Sequence, residues 1–439
     1  MRVDIDPAVS DHPIRIDRVK VVGLNRTKDD IVTKTTRNLF ESRTLNEAVS
    51  KIVETKKNLM RLDCFNKVSS TLDMESVDGR DSYFVTINVE ESNWIKGRVN
   101  ILNDVYQDSH DQPKLSTCIS FMNLFRRGEK LAVSTDIYST NKRFSTGMIS
   151  FTKPLLAPYK PTLYLDIYKH FINKKKLGYF NNQYGLKTGI TLEYDSWFLD
   201  LGWEGMIRNL QHVPNAPFGI REQLGLSMKS SLKMSASYDS RDSPVFPING
   251  SLVQLISEVA GLGGSNNFFK NELILQKSIR LFLGTSLTGS FSLGLLEKMG
   301  KCSMVDNFYL GGPLTFRGFD DNGVGKNNDG SITGTTMFWR FNTHLHVPLP
   351  FLSDKNKLSH FIRIHMFMNS GNMGNRQADL VTDLKALFNS IRLSCGAGFA
   401  VHLNHFLRFE LNYCLPIYYS SQDSVIPNRS QWGFGILFY

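Results

Sequence analysis

From Trp94 onward, apolar and polar residues alternate with a period of two, the pattern of strands with one wet and one greasy face. In Phe406–Cys414, Leu407, Phe409, Leu411 and Tyr413 alternate with Arg408, Glu410, Asn412 and Cys414. Between Ile391 and Leu403 the odd positions are Ile, Leu, Cys, Ala, Phe, Val and Leu, and the even ones Arg, Ser, Gly, Gly, Ala and His. Leu287, Phe291, Leu293 and Leu295 likewise alternate with Ser286, Thr288, Ser290 and Ser292. About sixteen such segments begin near Ile95, Leu115, Leu131, Phe144, Thr162, Tyr184, Trp197 and Leu232, then Ser251, Glu272, Thr285, Thr335, Phe361, Ile391, Phe406 and Trp432. A soluble sandwich also alternates, with its apolar face inward. The even number and the length of the segments favour a transmembrane barrel, and only a closed barrel pairs every strand amide in lipid. The expected fold class is therefore mostly β, a sixteen-stranded antiparallel transmembrane β-barrel over residues 95–439.

Residues 1–94 read differently. After a polar tail, Ile14–Leu24 predicts a strand. Thr27 with Asp30, and Thr44 with Glu47, predict capping boxes that each open a helix. Val49, Ile52, Val53, Leu59 and Met60 mark the second helix's apolar face. Phe65–Met74 and Tyr83–Val89 then predict two strands, completing a small α+β domain.

Composition narrows the class. No run of eighteen apolar residues occurs in the chain and mean hydropathy is -0.21, which argues against spanning helices and leaves a barrel open. The net charge of +10 is uneven: residues 1–94 carry 15 Lys and Arg against 16 Asp and Glu, the remainder 36 against 25. The basic residues of the second part occupy single alternating positions, so they read as lumen lining and loop ends, and no nucleic-acid partner is expected. Lys174-Lys175-Lys176 reads as a solvated loop. Five cysteines without paired spacing suggest free thiols and no metal site. No nucleophile elbow, zinc-binding helix or phosphate loop occurs. His344 and His346 face inward with Arg340 but have no nucleophile to serve, so neither an enzyme nor a cofactor is expected. Met1–Asp6 resemble neither a secretory nor a transit signal, which for an unprocessed chain argues against a bacterial exported barrel.

One stretch between two strand segments stands apart: Phe308-Tyr309-Leu310-Gly311-Gly312-Pro313-Leu314-Thr315-Phe316-Arg317-Gly318-Phe319. Paired glycines and a proline mark an unusual turn, and an arginine between two aromatics suits a loop folded into an enclosed polar space. Gly311, Gly312, Phe316, Arg317, Gly318 and Phe319 resemble the inward-folded sixth loop of the outer-membrane barrel-assembly superfamily, whose members carry polypeptide-transport-associated (POTRA) domains ahead of a sixteen-strand barrel. Tyr238-Asp239-Ser240-Arg241-Asp242 with Pro247 and Gly250 resembles that family's turn between barrel strands eight and nine, and Asn123–Glu129 its early hairpin. Gly23–Ile31 and Phe409–Pro416 are similar to the core barrel subunits of the mitochondrial sorting and assembly machinery (SAM). The resemblance covers nearly the whole chain.

It implies one POTRA domain within residues 1–94, able to bind extended peptides or to act as a plain spacer, and a loop around 301–333 that closes on the inner wall. The family anchors the loop arginine to an aromatic-x-acid pair. Here the matching positions are Phe367 and Asn369, both inward by parity, so stacking and an amide hydrogen bond would stand in for a salt bridge. Gln431-Trp432-Gly433-Phe434-Gly435-Ile436-Leu437-Phe438 resembles the sorting signal on the last strand of mitochondrial barrels. The resemblance also implies a lateral gate where this strand meets the first, involving Ile95, Val99, Ile101, Gln431, Gly433, Gly435, Ile436 and Phe438. The implied function is insertion of β-barrel precursors (porin and the import-channel barrel) into the mitochondrial outer membrane. The N-terminal domain would lie in the intermembrane space. Metaxin-like SAM subunits, the inner-membrane cristae-organising complex and membrane lipid are the implied partners. A passive porin-like channel shares the barrel but has no need of the N-terminal domain or the Arg317 loop; a protein-translocation pore is the other alternative.

Overall fold

The computed structural model describes residues 13–77, 80–103, 113–138, 146–156, 159–214, 216–244, 246–325, 330–349, 362–377, 379–403 and 407–436. The first element is a three-stranded sheet of β1 (Ile16–Val22), β2 (Phe65–Val77) and β3 (Arg80–Glu91), ordered β1-β3-β2. Strand β1 runs parallel to β3 and β2 antiparallel to it. Two helices, Asp29–Thr36 and Leu45–Arg61, lie between β1 and β2. The second helix buries Ala48, Ile52, Thr55 and Leu59 against Val85, Ile87 and Val68, whereas Met60 is exposed. The expected apolar face is thus turned by a few tens of degrees, because Ala48 and Thr55 also fit beneath the sheet. Thr44 caps this helix by accepting the Glu47 N–H, while the Glu47 carboxylate takes the Arg43 N–H.

The first helix is capped otherwise than expected. Its N-cap is Lys28, without a side-chain cap. Instead the Glu91 carboxylate at the end of β3 accepts the N–H groups of Asn25, Arg26 and Thr27 at 2.8–3.2 Å. This frees the Thr27 hydroxyl, which accepts from Asn123 Nδ2. Lys28 N–H donates to the Arg126 carbonyl, Asp30 pairs with Arg127 at 2.7 Å, and Arg61 donates to the Thr162 hydroxyl at 2.9 Å. The N-terminal fold is therefore joined through polar contacts to the Asn123–Glu129 turn and the Leu155–Thr162 stretch. Those segments belong to the same compact unit, formed within Met1–Val99, Thr117–Thr135 and Met148–Asp166. This packing differs from a division at residue 94, because the turn satisfies donors that the short domain leaves open.

Sixteen strands form one antiparallel sheet in chain order. The first eight are β4 (Ile95–Asn103), β5 (Pro113–Met122), β6 (Lys130–Tyr138), β7 (Thr146–Pro154), β8 (Thr162–Lys174), β9 (Tyr179–Tyr194), β10 (Trp197–His212) and β11 (Gly225–Asp239). The last eight are β12 (Gly250–Ala260), β13 (Phe268–Arg280), β14 (Ser286–Lys298), β15 (Met337–Pro348), β16 (Ile362–Gly374), β17 (Arg392–Leu403), β18 (Leu407–Tyr418) and β19 (Ser430–Ile436). Among the described residues, β4 and β19 are the two ends of this order.

The sheet's polarity is inverted relative to a soluble core. On β16, Arg363, His365, Phe367 and Asn369 are buried while Met366 and Met368 are exposed. Exposed Val253, Phe399, Tyr413 and Trp432 continue the apolar outer face, and Arg208, Lys229 and Glu410 lie buried on the inner one. An apolar outside around a polar inside is the arrangement of a membrane barrel.

Candidate functional site: the inward loop and the last two strands

The connection between β14 and β15 turns inward and carries its own core. Phe308, Leu310, Phe316, Phe319 and Val324 pack with Phe268, Leu296, Phe338 and Met373 of the wall. Phe316 and Phe319 stack at 5.0 Å and are wholly buried. Gly312 accepts the Phe316 N–H and donates its own to the Phe319 carbonyl, closing the tip into a small hairpin. Gly311 precedes it, with its N-terminal neighbour Leu310 bonded through its carbonyl to Val324 N–H.

This hairpin presents Arg317 to the inner wall. The guanidinium is 1% exposed, so its partners must replace water. Its Nε and Nη2 donate to the two carboxylate oxygens of Glu410 on β18, at 2.8 and 2.9 Å, a bidentate pair. Asn412 Nδ2 donates to the same carboxylate at 2.9 Å. The guanidinium also lies over the Phe367 ring at 5.2 Å, and Nη1 reaches His344 Nε2 at 3.4 Å. His365, its ring tilted against Phe367 at 5.6 Å, donates to Asn412 Oδ1 at 2.6 Å.

Phe367 thus lies under the arginine, as parity requires, but Asn369 does not receive the guanidinium. Its Nδ2 donates to Ser394 Oγ at 3.4 Å, and that hydroxyl donates in turn to the Arg317 carbonyl. A full salt bridge exists after all, and its acid comes from β18, two strands beyond Asn369. Glu410 carried a signal: it is the one acid among the inward positions of β15–β19, and a buried guanidinium requires one.

Next to Arg317 the backbone itself is held by the last strand. Gln431 Oε1 accepts the Gly318 N–H and Gln431 Nε2 donates to the Phe319 carbonyl, both at 3.0 Å. Gly433, the next inward position, lies beneath Pro313 and Leu314, where an added Cβ would come within 3.0 Å of the leucine side chain. The segment before β19 adds a bridge between Phe319 and Val425, with Asp320 N–H donating to Ser424 O and Ser424 N–H to Gly323 O. Of the expected gate residues, Ile95 and Val99 are exposed on β4, Ile101 lies in β4, and Gly435 and Ile436 lie in β19. Phe438 falls outside the described residues.

The sequence comparisons match this architecture. A family model described as the Omp85 superfamily domain matches residues 123–438. The chain belongs to the Omp85 superfamily. Within it, a Sorting and assembly machinery component 50 homolog from Bos taurus is 32% identical, covering 96% of this chain and 90% of that protein. The Homo sapiens homolog is 31% identical over the same shares. Among solved structures, BamA from Haemophilus ducreyi lacking POTRA domains 1-3 shares the fold at a TM-score of 0.74 and 16% identity, covering 96% of this chain and 84% of that one. This Omp85 chain has sixteen antiparallel strands in one sheet and a loop whose arginine pairs with an acid on β18.

Proposed function

We propose that this protein inserts β-barrel precursors into the mitochondrial outer membrane through a lateral opening between β4 and β19, with its N-terminal domain in the intermembrane space. The observation that carries this reading is the grip of one loop on both final strands, β18 through Glu410 and β19 through Gln431. A passive channel has no need to secure its last strand by a loop. The similarity to Sorting and assembly machinery component 50 homologs supports the same reading.

Mechanistically, β19 is a seven-residue strand paired along β18 by a short ladder. Releasing Gln431 from Gly318 and Phe319 would leave it to that ladder and to the packing of Gly433 beneath Pro313 and Leu314. A precursor strand that pairs with the exposed edge exchanges backbone hydrogen bonds one for one, a nearly neutral process that needs no nucleotide. Precursors of porin and of the import-channel barrel are the clients of this reading. Metaxin-like subunits and the cristae-organising complex are its protein partners.

The test is Arg317→Ala. It leaves Glu410 buried without its cation, a loss of about 3–5 kcal/mol. The expected variant is membrane-embedded but slow in precursor assembly, measured by import of radiolabelled porin into mitochondria. Porin assembly at the normal rate would refute the reading in favour of a passive channel.

A further inference from the structure

The loop has a second attachment, far along the sheet from the first. Asp306 pairs with Arg208 of β10 at 2.7 Å, both nearly fully buried. Its own carbonyl accepts from Lys270 of β13 at 2.8 Å, and that ammonium lies 4.3 Å over the Phe308 ring. Around it, Gln223 Oε1 accepts the Met304 N–H, and Tyr309 donates its hydroxyl to the Met304 carbonyl. Met304 is wholly buried with Leu210, Ile220 and Ile332. The neighbouring acids are already engaged: Glu258 and Glu204 pair with Lys229, and Tyr168 donates to Glu204. Asp306 is thus the acid paired with Arg208, and Lys270 lies between the Asp306 carbonyl and the charge of Glu272.

The two attachments stand on unequal ground. Strand β10 pairs with β9 and β11 along almost its full length, and β13 with β12 and β14. Strand β19 ends the sheet order. A load on the loop is resisted by doubly paired strands at the Asp306 end; at the other end Glu410 and Ser394 lie on doubly paired β18 and β17, and only the Gln431 bonds rest on the terminal strand.

We propose that Asp306 is a positioning residue that fixes one end of the loop to β10 and β13, so that the Gln431 bonds to Gly318 and Phe319 alone are released when the last strand moves. The loop then acts as a strut hinged on the middle of the sheet. The assignment of a client to that movement rests on the reading above; the hinge itself does not.

Cys302, four residues ahead of Asp306, reports on the seated end. It is half-buried, and burial, aided by the Asp306 charge, pushes its thiol up to about 11. The experiment uses the full chain in lipid vesicles with Cys302 as the single cysteine and measures its rate of maleimide labelling across pH, so that the variants are compared per thiolate and the Asp306 charge itself drops out. Asp306→Asn, an isosteric change, should raise that rate at least about tenfold, as expected when a buried pair loses one charge. The swap Asp306→Arg with Arg208→Asp should bring it back to within about threefold, a rescue that mere loss of packing would not give. Arg317→Ala should leave Cys302 labelling near the wild-type rate. Unchanged labelling in Asp306→Asn, or labelling in Arg317→Ala as fast as in Asp306→Asn, overturns the hinge. If Arg317→Ala assembles porin normally, the insertion reading fails while the Asp306 test keeps its meaning.

Discussion

At the scale of single residues, Arg317 shows what burial demands of a charge. A guanidinium removed from water needs several acceptors in one plane, and Glu410 provides both oxygens while the Phe367 face shields the ring side. Local sequence made the arginine conspicuous, whereas its acid was marked only by being the one acid among the inward positions of β15–β19, ninety-three residues away. Asn369 drew attention by its spacing from Phe367, yet its short amide ends at Ser394. Gly318 illustrates the tightness of the arrangement. Its φ of +91° and a Cβ position 3.0 Å from Ser394 Cβ leave no room for a side chain. Gly318→Ala should therefore cost about 1–3 kcal/mol. In a heat-modifiability gel its folded barrel form should be lost at lower temperature than the wild type.

At the scale of elements, the Gly23–Asp29 turn shows how one carboxylate can replace a helix cap. Burial pushes the Glu91 carboxyl up, but the N–H donors of Thr27, Arg26 and Asn25 outweigh it and hold its pKa below the usual carboxylate range. A carboxylate depressed on folding stabilises fully above its unfolded value of about 4.3 and loses that contribution as pH falls through the lower folded value. Amide exchange at residues 25–27 should be faster in Glu91→Gln than in wild type at pH 6, by about tenfold or more. The ratio of the two rates should approach one as pH falls through the lowered folded value of Glu91, below which both chains are neutral at this site. An unchanged ratio at pH 6 would remove Glu91 as the cap. The sequence suggested a Thr27 capping box here because nothing local announces a partner sixty-four residues away.

At the scale of the whole molecule, most of the strand pattern was legible. Observed starts at Ile95, Thr162 and Trp197 coincide with the alternation, and most others lie within two residues of it. The exceptions are β9, β11 and β13, which begin four to seven residues early, at Tyr179, Gly225 and Phe268. In β9 and β13 the first residues, Tyr179–Gln183 and Phe268–Asn271, break the apolar–polar alternation, and in β11 the pair Ser230-Ser231 interrupts it after Leu226 and Met228. The loop's attachments were not legible, because they join residues 93 and 113 positions apart by side-chain geometry alone. The lateral opening belongs to this scale too. Single cysteines within Ile95–Asn103 and Ser430–Ile436 should crosslink to the last strand of a porin precursor arrested during import. Crosslinks within the chain alone, unchanged by precursor, would favour a closed channel.

The bonds from Gln431 also set an order of events during synthesis. Arg317 leaves the ribosome long before Glu410, and Gly318 long before Gln431, so neither can be satisfied until the final two strands exist. A long-range contact of this kind forms late in folding. The loop can therefore settle fully only in a chain that includes its last two strands; one that ends before Glu410 leaves the Arg317 guanidinium without its carboxylate.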